Sequence, residues 1–300
     1  MSKRLIDTLN CAKKNKRDEF YTQLSDIEKE LIHYENHFKD KIVYCNCDDP
    51  TVSQFFHYFS YKFKKLSLKK LVTTCYKHSN IDLFNQGEDE KAGYLIYEGD
   101  DNNVPLRESI KMKPLESDGD FRSDDCINLL KKADIVVTNP PFSLFREYIS
   151  QLFKYEKKFL IMGDQNAITC KETFQLVKEN KLWTGITNGG NKWFEVPMDY
   201  DIKTKSHIKE KNGKKYFKKR SVYWYTNLDI AKRHEDMILY KRYQNNESDY
   251  PFYDNYRAIN VDRCSDIPKD YDGYMGVPIT FFDKYNPNQF EIIDLDINLV

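Results

Sequence analysis

Apolar and polar positions follow two rhythms along this chain. From about residue 41 to 181, short apolar runs rich in β-branched and aromatic residues alternate with stretches whose apolar positions recur at helical spacing. The runs KIVYCN (41–46), KKLVTTCY (69–76), ADIVVTN (133–139) and KKFLIMG (157–163) predict buried strands. Residues 51–63, 124–132, 143–154 and 171–181 predict helices between and after them. Ser25 with Glu28 reads as a capping box that opens an earlier helix running to about Phe38. AGYLIYEG and PLRESIKM, flanking Asp101-Asn102-Asn103, read as a hairpin. Such alternation predicts an α/β fold with a parallel sheet covered by helices on both faces. Past 181 the helical rhythm stops. KLWTGIT, KWFEVP and KRSVYWYTNL read as antiparallel strands added at one sheet edge. From about 235 the chain turns rich in Tyr, Asp and Pro, with weak periodicity. The expected organisation is a polar, basic arm over 1–18, a main domain over 19–230 and a second lobe over 231–300. No internal repeat is visible.

Composition sharpens this picture. The 300 residues are 40% hydrophobic and 15% aromatic, enough for a large core and too much for a disordered chain. No apolar run approaches a membrane span, and the N-terminal residues lack an apolar signal core, so a cytoplasmic protein is expected. Seven scattered cysteines fit reduced thiols better than a disulfide framework. Lys+Arg 47 balance Asp+Glu 47, yet the charge is uneven. Residues 203–220 hold nine basic groups against Glu210 alone, and residues 61–70 hold five lysines and no acid. Basic stripes of this kind suit a phosphate-tracking surface, although either stretch alone fits a solvated loop equally well. His33 and His37 stand four apart on a predicted helix, but no further ligands accompany them, so no metal site is expected.

The chemistry is concentrated where the strand 133–139 ends, at Asn139-Pro140-Pro141-Phe142. Two prolines fix φ and remove two N–H donors, so this turn is stiff. It stands at the carboxyl end of a strand, where open α/β sheets bind ligands. The pattern suits methylation of an exocyclic amino nitrogen. That nitrogen is a poor nucleophile because its lone pair is delocalised into the ring. Two acceptors holding its N–H groups, the Asn139 Oδ1 and the Pro140 carbonyl, would free the lone pair. Phe142 would stack on the base and face a positive methyl donor. No strong general base is needed, and the gain comes from alignment and preorganised polar groups.

Three segments fit the same chemistry as donor contacts. Phe20-Tyr21-Thr22 precedes the first helix and suits the methionine end of the donor. Asp120 suits its adenine amino group, with Phe121 stacked on the ring. Asn46 and Asp48 lie in the turn after the first strand, where glycines are usual and this chain has none. Asn and Asp tolerate left-handed backbone there, and the following helix N-terminus suits a carboxylate.

With these motifs in place, the chain resembles the EcoRI-type adenine-specific DNA methyltransferases. The matching stretches include DEFYTQLSDIEKEL, VYCNCDDPTVSQFF, IVVTNPPFSLFREYI, GDQNAIT, VYWYTNLDIAKRHE and YDGYMGVPITFFDKYNPNQFEII, so nearly the whole chain is covered. The resemblance implies a Rossmann-like fold with a C-terminal recognition lobe and S-adenosylmethionine as donor. It implies methyl transfer to adenine N6 in double-stranded DNA, beside a cognate restriction endonuclease or alone; a monomer is expected, because each methylation needs only one site. The strand 69–76 ends without the acid that usually holds a ribose. A target adenine must leave the duplex to be reached. Lys214, Lys215, Lys218, Lys219 and Arg220 are the candidate phosphate contacts, and Trp193 and Trp224 the candidate stacking residues. Two other readings stay open: the same chemistry on RNA adenine or protein glutamine, and a silent DNA-binding homologue.

Overall fold

In the computed structural model the described residues are 20–47, 49–50, 53–75, 92–99, 112–196, 198 and 205–295. The basic arm, Asp48, the turn at 101–103 and nearly all of PLRESIKM lie outside them.

The apolar runs pair as their composition dictates. β2 (Ile42–Cys45), β3 (Lys70–Cys75), β6 (Ile135–Thr138) and β7 (Lys158–Asp164) are parallel and adjacent, in the order β3-β2-β6-β7. All four residues of β6 are buried, as expected of a central strand covered on both faces. The winding reverses between β2 and β6. β3 follows on one side of β2 and β6 on the other, so their carboxyl ends flank a switch point.

Antiparallel strands extend both edges of this sheet, where one extended edge was expected. β4 (Gly93–Tyr97) and β5 (Lys113–Pro114) lie beyond β3. β12 (Val222–Thr226) and β8 (Trp183–Thr184) lie beyond β7, giving eight strands.

Helices cover both faces, and strand alternation sorts the core between them. Val43, Cys45, Leu71, Val137, Leu160, Met162 and Trp224 pack against α1 (Leu24–Leu31), the 3-10 turn Ile32–His37 and α2 (Gln54–Tyr61). Tyr44, Val72, Val136, Phe159, Ile161, Tyr223 and Tyr225 pack against α3 (Asp124–Lys132), α4 (Phe145–Lys154) and α5 (Lys171–Lys178). Phe55, Phe56 and Phe59 of α2 are at most 2% exposed, and each contributes about 1.5–3 kcal/mol by burial. The expected capping box is absent. α1 starts at Leu24, which puts Ser25 inside the first turn and leaves Gln23 at the cap without a side-chain bond.

KWFEVP does not join the main sheet. It forms β9 (Asn191–Val196) of a second, antiparallel sheet with order β1-β9-β11-β10. β1 is Tyr21–Thr22, β10 is Ile208–Lys211 and β11 is Lys214–Arg220. Asn212 and Gly213, with φ of 52° and 70°, close β10 onto β11 in a two-residue hairpin. Ser221, at φ 57°, then separates β11 from β12, so one run of sequence serves two sheets.

The C-terminal residues form a satellite cluster. Tyr250, Ile259, Val261, Cys264, Ile267 and Phe281 are its buried members. The parallel pair β13 (Ala258–Asn260) and β14 (Tyr274–Gly276) runs through it. Ile279 and Phe282 pack on the main core, and Asp283 binds Asn188 and Lys232. No helix among the described residues is long and apolar enough to cross a membrane.

Candidate active site

The site is assembled at the β2/β6 switch point. β6 runs straight into Asn139-Pro140-Pro141, and Phe142–Leu144 form a 3-10 turn that leads into α4. The Asn139 Nδ2 donates to the Phe20 carbonyl at 2.6 Å. That bond fixes which end of the amide is which, because a carbonyl accepts only from the NH2 end. The other end, Oδ1, is buried and has no hydrogen-bond partner among the described residues. An acceptor left open in this way costs about 1–3 kcal/mol. At the carboxyl end of a central strand, this open acceptor can be satisfied by a donor from outside the chain.

Phe142 stands at the rim of an aromatic cluster. Its ring lies 5.8 Å from Phe20 and 6.4 Å, edge on, from Phe194. Phe20 in turn lies 5.6 Å from both Phe194 and Phe217. The Lys219 Nζ sits 5.0 Å from the centre of the Phe142 ring and pairs with Asp164 at 3.1 Å. Thr22 is buried and donates to the Met162 sulfur at 3.3 Å. Tyr21 pairs with Glu195 across the second sheet. The structure thus brings the segment 20–22 against the Asn-Pro-Pro-Phe turn, although more than a hundred residues separate them in sequence. Phe194, Phe217 and the Phe20 carbonyl lie beside this turn and carried no sequence signal of their own, since their proximity depends on sheet pairing. Asp164 stands in the matching stretch GDQNAIT, but its pairing with Lys219 did not show in the sequence.

The glycine-free turn after β2 is tight. Among its described residues the left-handed one is Cys47, at φ 59°, where Asn or Asp was expected. Asn46 is buried and already engaged. Its carbonyl accepts from the Thr138 hydroxyl and its Oδ1 from the Tyr148 hydroxyl. These bonds tie the ends of β2, β6 and α4 together. At the start of α2, Ser53 Oγ accepts from the N–H groups of Phe55 and Phe56, at 3.0 and 3.4 Å. Two donors expected to meet a carboxylate are therefore taken.

Asp120 and Phe121 differ from expectation. Both Asp120 carboxylate oxygens are held by the Arg122 guanidinium, at 2.7 and 2.8 Å. Arg122 also reaches Glu147 at 2.8 Å. Phe121 is 3% exposed and packs edge on against Tyr148 at 5.0 Å, so its ring is core rather than an open stacking platform.

The cations separate by register. Lys218 pairs with Trp193 across β11 and β9, and Lys214 and Arg220 lie on that same outer face. Lys209 and Lys218 stand 4.1 and 5.6 Å over the half-buried Trp193 ring. Lys215 and Lys219 point to the opposite face. Lys215 binds the Met198 carbonyl at 3.0 Å. Trp224 is corrected to a core residue. It is 0% exposed, meets Phe55 edge on at 6.1 Å, and cannot stack on an external base.

The fold and the turn define the class first. A mixed α/β sheet with an Asn-Pro-Pro-Phe turn at its switch point fits a methyltransferase fold. The chain belongs to the EcoRI family of adenine-specific methyltransferases, which matches it over residues 8–299. It is 52% identical over 287 residues to the Type II methyltransferase M.EcoRI of Escherichia coli, covering 95% of this chain and 88% of that protein. It is 40% identical over 290 residues to the Type II methyltransferase M.MgeORF184P of Mycoplasma genitalium, covering 95% and 85%. M.MpnI of Mycoplasma pneumoniae is likewise 40% identical, over 288 residues, covering 95% and 84%. No solved structure matches the chain.

Proposed function

We propose that this enzyme methylates N6 of an adenine flipped out of double-stranded DNA, at one short sequence, within a restriction-modification setting or alone. The observation that carries this reading is the buried, unpartnered Asn139 Oδ1 beside an Nδ2 already fixed by the Phe20 carbonyl. An adenine amino group supplies the N–H that this oxygen lacks. The Pro140 carbonyl is the second acceptor, and Phe142 stacks on the base from the rim. Together they draw lone-pair density back onto N6 and hold it in line for attack.

The main sheet is read as Rossmann-like, with the donor along the carboxyl ends of β2 and β6. S-adenosylmethionine supplies, when bound, a methyl group on a sulfonium. Phe20, Tyr21 and Thr22 wall its methionine end. Asn46 shapes the turn beneath it, held by Thr138 and Tyr148. Asp120 is the candidate contact for the donor's adenine amino group, beside its pairing with Arg122. The outer face of the second sheet, with Lys214, Lys218, Arg220 and Trp193, tracks phosphates, and the residues from 231 onward read the target sequence.

Methyl transfer from labelled S-adenosylmethionine to unmethylated genomic DNA, followed by single-molecule sequencing, tests the reading. N6-methyladenine at one short motif is expected. Asn139→Ala is expected to lower turnover by about 10²–10³-fold, the size seen when one preorganised polar group is removed. Undiminished turnover in Asn139→Ala overturns the role given to Oδ1.

A further inference from the structure

We propose that Lys219 is a positioning residue of the base pocket, set apart by strand register from the phosphate-tracking cations beside it. The inference rests on the methyltransferase reading above. β11 carries Lys218, Lys219 and Arg220 in succession, and a strand sends successive side chains to opposite faces. Lys218 faces outward with Trp193. Lys219, paired with Lys192, faces inward with Phe194 and Phe217.

Its ammonium is fixed from two sides. It lies 5.0 Å from the centre of the Phe142 ring, within cation–π range. Asp164 holds it at 3.1 Å from the end of β7. Asp164 is itself fixed, because its other oxygen accepts from the Asn166 N–H at 3.0 Å. A chain of contacts thus runs from the sheet through Asp164 and Lys219 to the ring that receives the base. Both charged groups are largely covered, with side chains 25% and 32% exposed, and Asp164 already offsets the ammonium's charge, so a phosphate gains less here than at Lys218. Lys219 therefore sets the pose of Phe142 and makes no backbone contact with DNA.

Single-turnover methyl transfer and the salt dependence of DNA binding separate the two jobs. Lys219→Met is expected to slow methyl transfer about tenfold at saturating DNA, while the slope of log affinity against log salt stays at the wild-type value. Lys219→Arg keeps a cation over the ring and restores most of the rate. Asp164→Asn frees the ammonium and gives a smaller loss of rate. Lys218→Gln instead lowers the salt slope by about 1. A Lys219→Met enzyme that transfers methyl at the wild-type rate, or whose salt slope falls as that of Lys218→Gln does, overturns the proposal. If Lys219→Met does not fold, the Lys219→Arg and Asp164→Asn rates decide alone, and wild-type rates in both overturn it. Absence of transfer by the wild-type enzyme strikes the methyltransferase reading instead, and so the two failures are told apart.

Discussion

β11 and β12 are consecutive in sequence and opposite in character. β12 is buried at all five positions and forms part of the main core. β11 is buried at none, and its two faces meet different surroundings. A single left-handed residue, Ser221, parts them. The difference teaches that an aromatic or basic residue in this stretch has its role set by sheet and register. Trp193 and Trp224 look alike as candidate stacking residues, and only the first has an accessible ring.

The comparison can be broken by mutation. Trp224→Ala is expected to cost about 3–5 kcal/mol of stability, measured by denaturant unfolding, because it empties a fully buried site on β12. A loss under 1 kcal/mol would mean that β12 is not a core strand. Glu30→Gln probes the link between the sheets. This buried carboxylate accepts from the Tyr34 hydroxyl, the Ile186 and Thr187 N–H groups and the Thr187 hydroxyl, at 2.6–2.8 Å. It thereby clamps the loop that joins β8 to β9. An amide there turns an NH2 toward donors, and a loss of about 2 kcal/mol is expected in the same measurement. Ser221→Gly should have the smallest effect and the opposite sign. Glycine removes the left-handed penalty at φ 57° but loses more entropy on folding, leaving a gain of about 0.5 kcal/mol. A destabilised Ser221→Gly would show that the Ser221 side chain, not its backbone, holds the junction.

Much of the main sheet was legible in the sequence, because strands buried on both faces read as continuous apolar runs. ADIVVTN and KKFLIMG are of that kind, and both pair where alternation with helices placed them. The Asn-Pro-Pro-Phe turn was legible for the same reason. It follows an unmistakable strand. The second sheet was not, since its half-buried strands mix lysine with aromatics and read as a charged insertion. Asn212-Gly213 between two alternating runs was the available hairpin signal. Asp120 shows the converse limit. A loop carboxylate reads as a free acceptor until the fold supplies Arg122 two residues away. Ser25 with Glu28 fits a capping box in spacing alone, and the helix begins two residues too early for it.

The bond from Asn139 to Phe20 has a consequence for protein engineering. Its acceptor is a peptide carbonyl, which every residue possesses, so no side-chain replacement at position 20 can delete it. Only a change in chain path can. A deletion reaching into residues 20–22 would release the amide to rotate and present its NH2 to the substrate amine, donor against donor. A truncation that reaches Phe20 therefore bears on the proposed active site, although it alters no letter of the Asn-Pro-Pro-Phe motif.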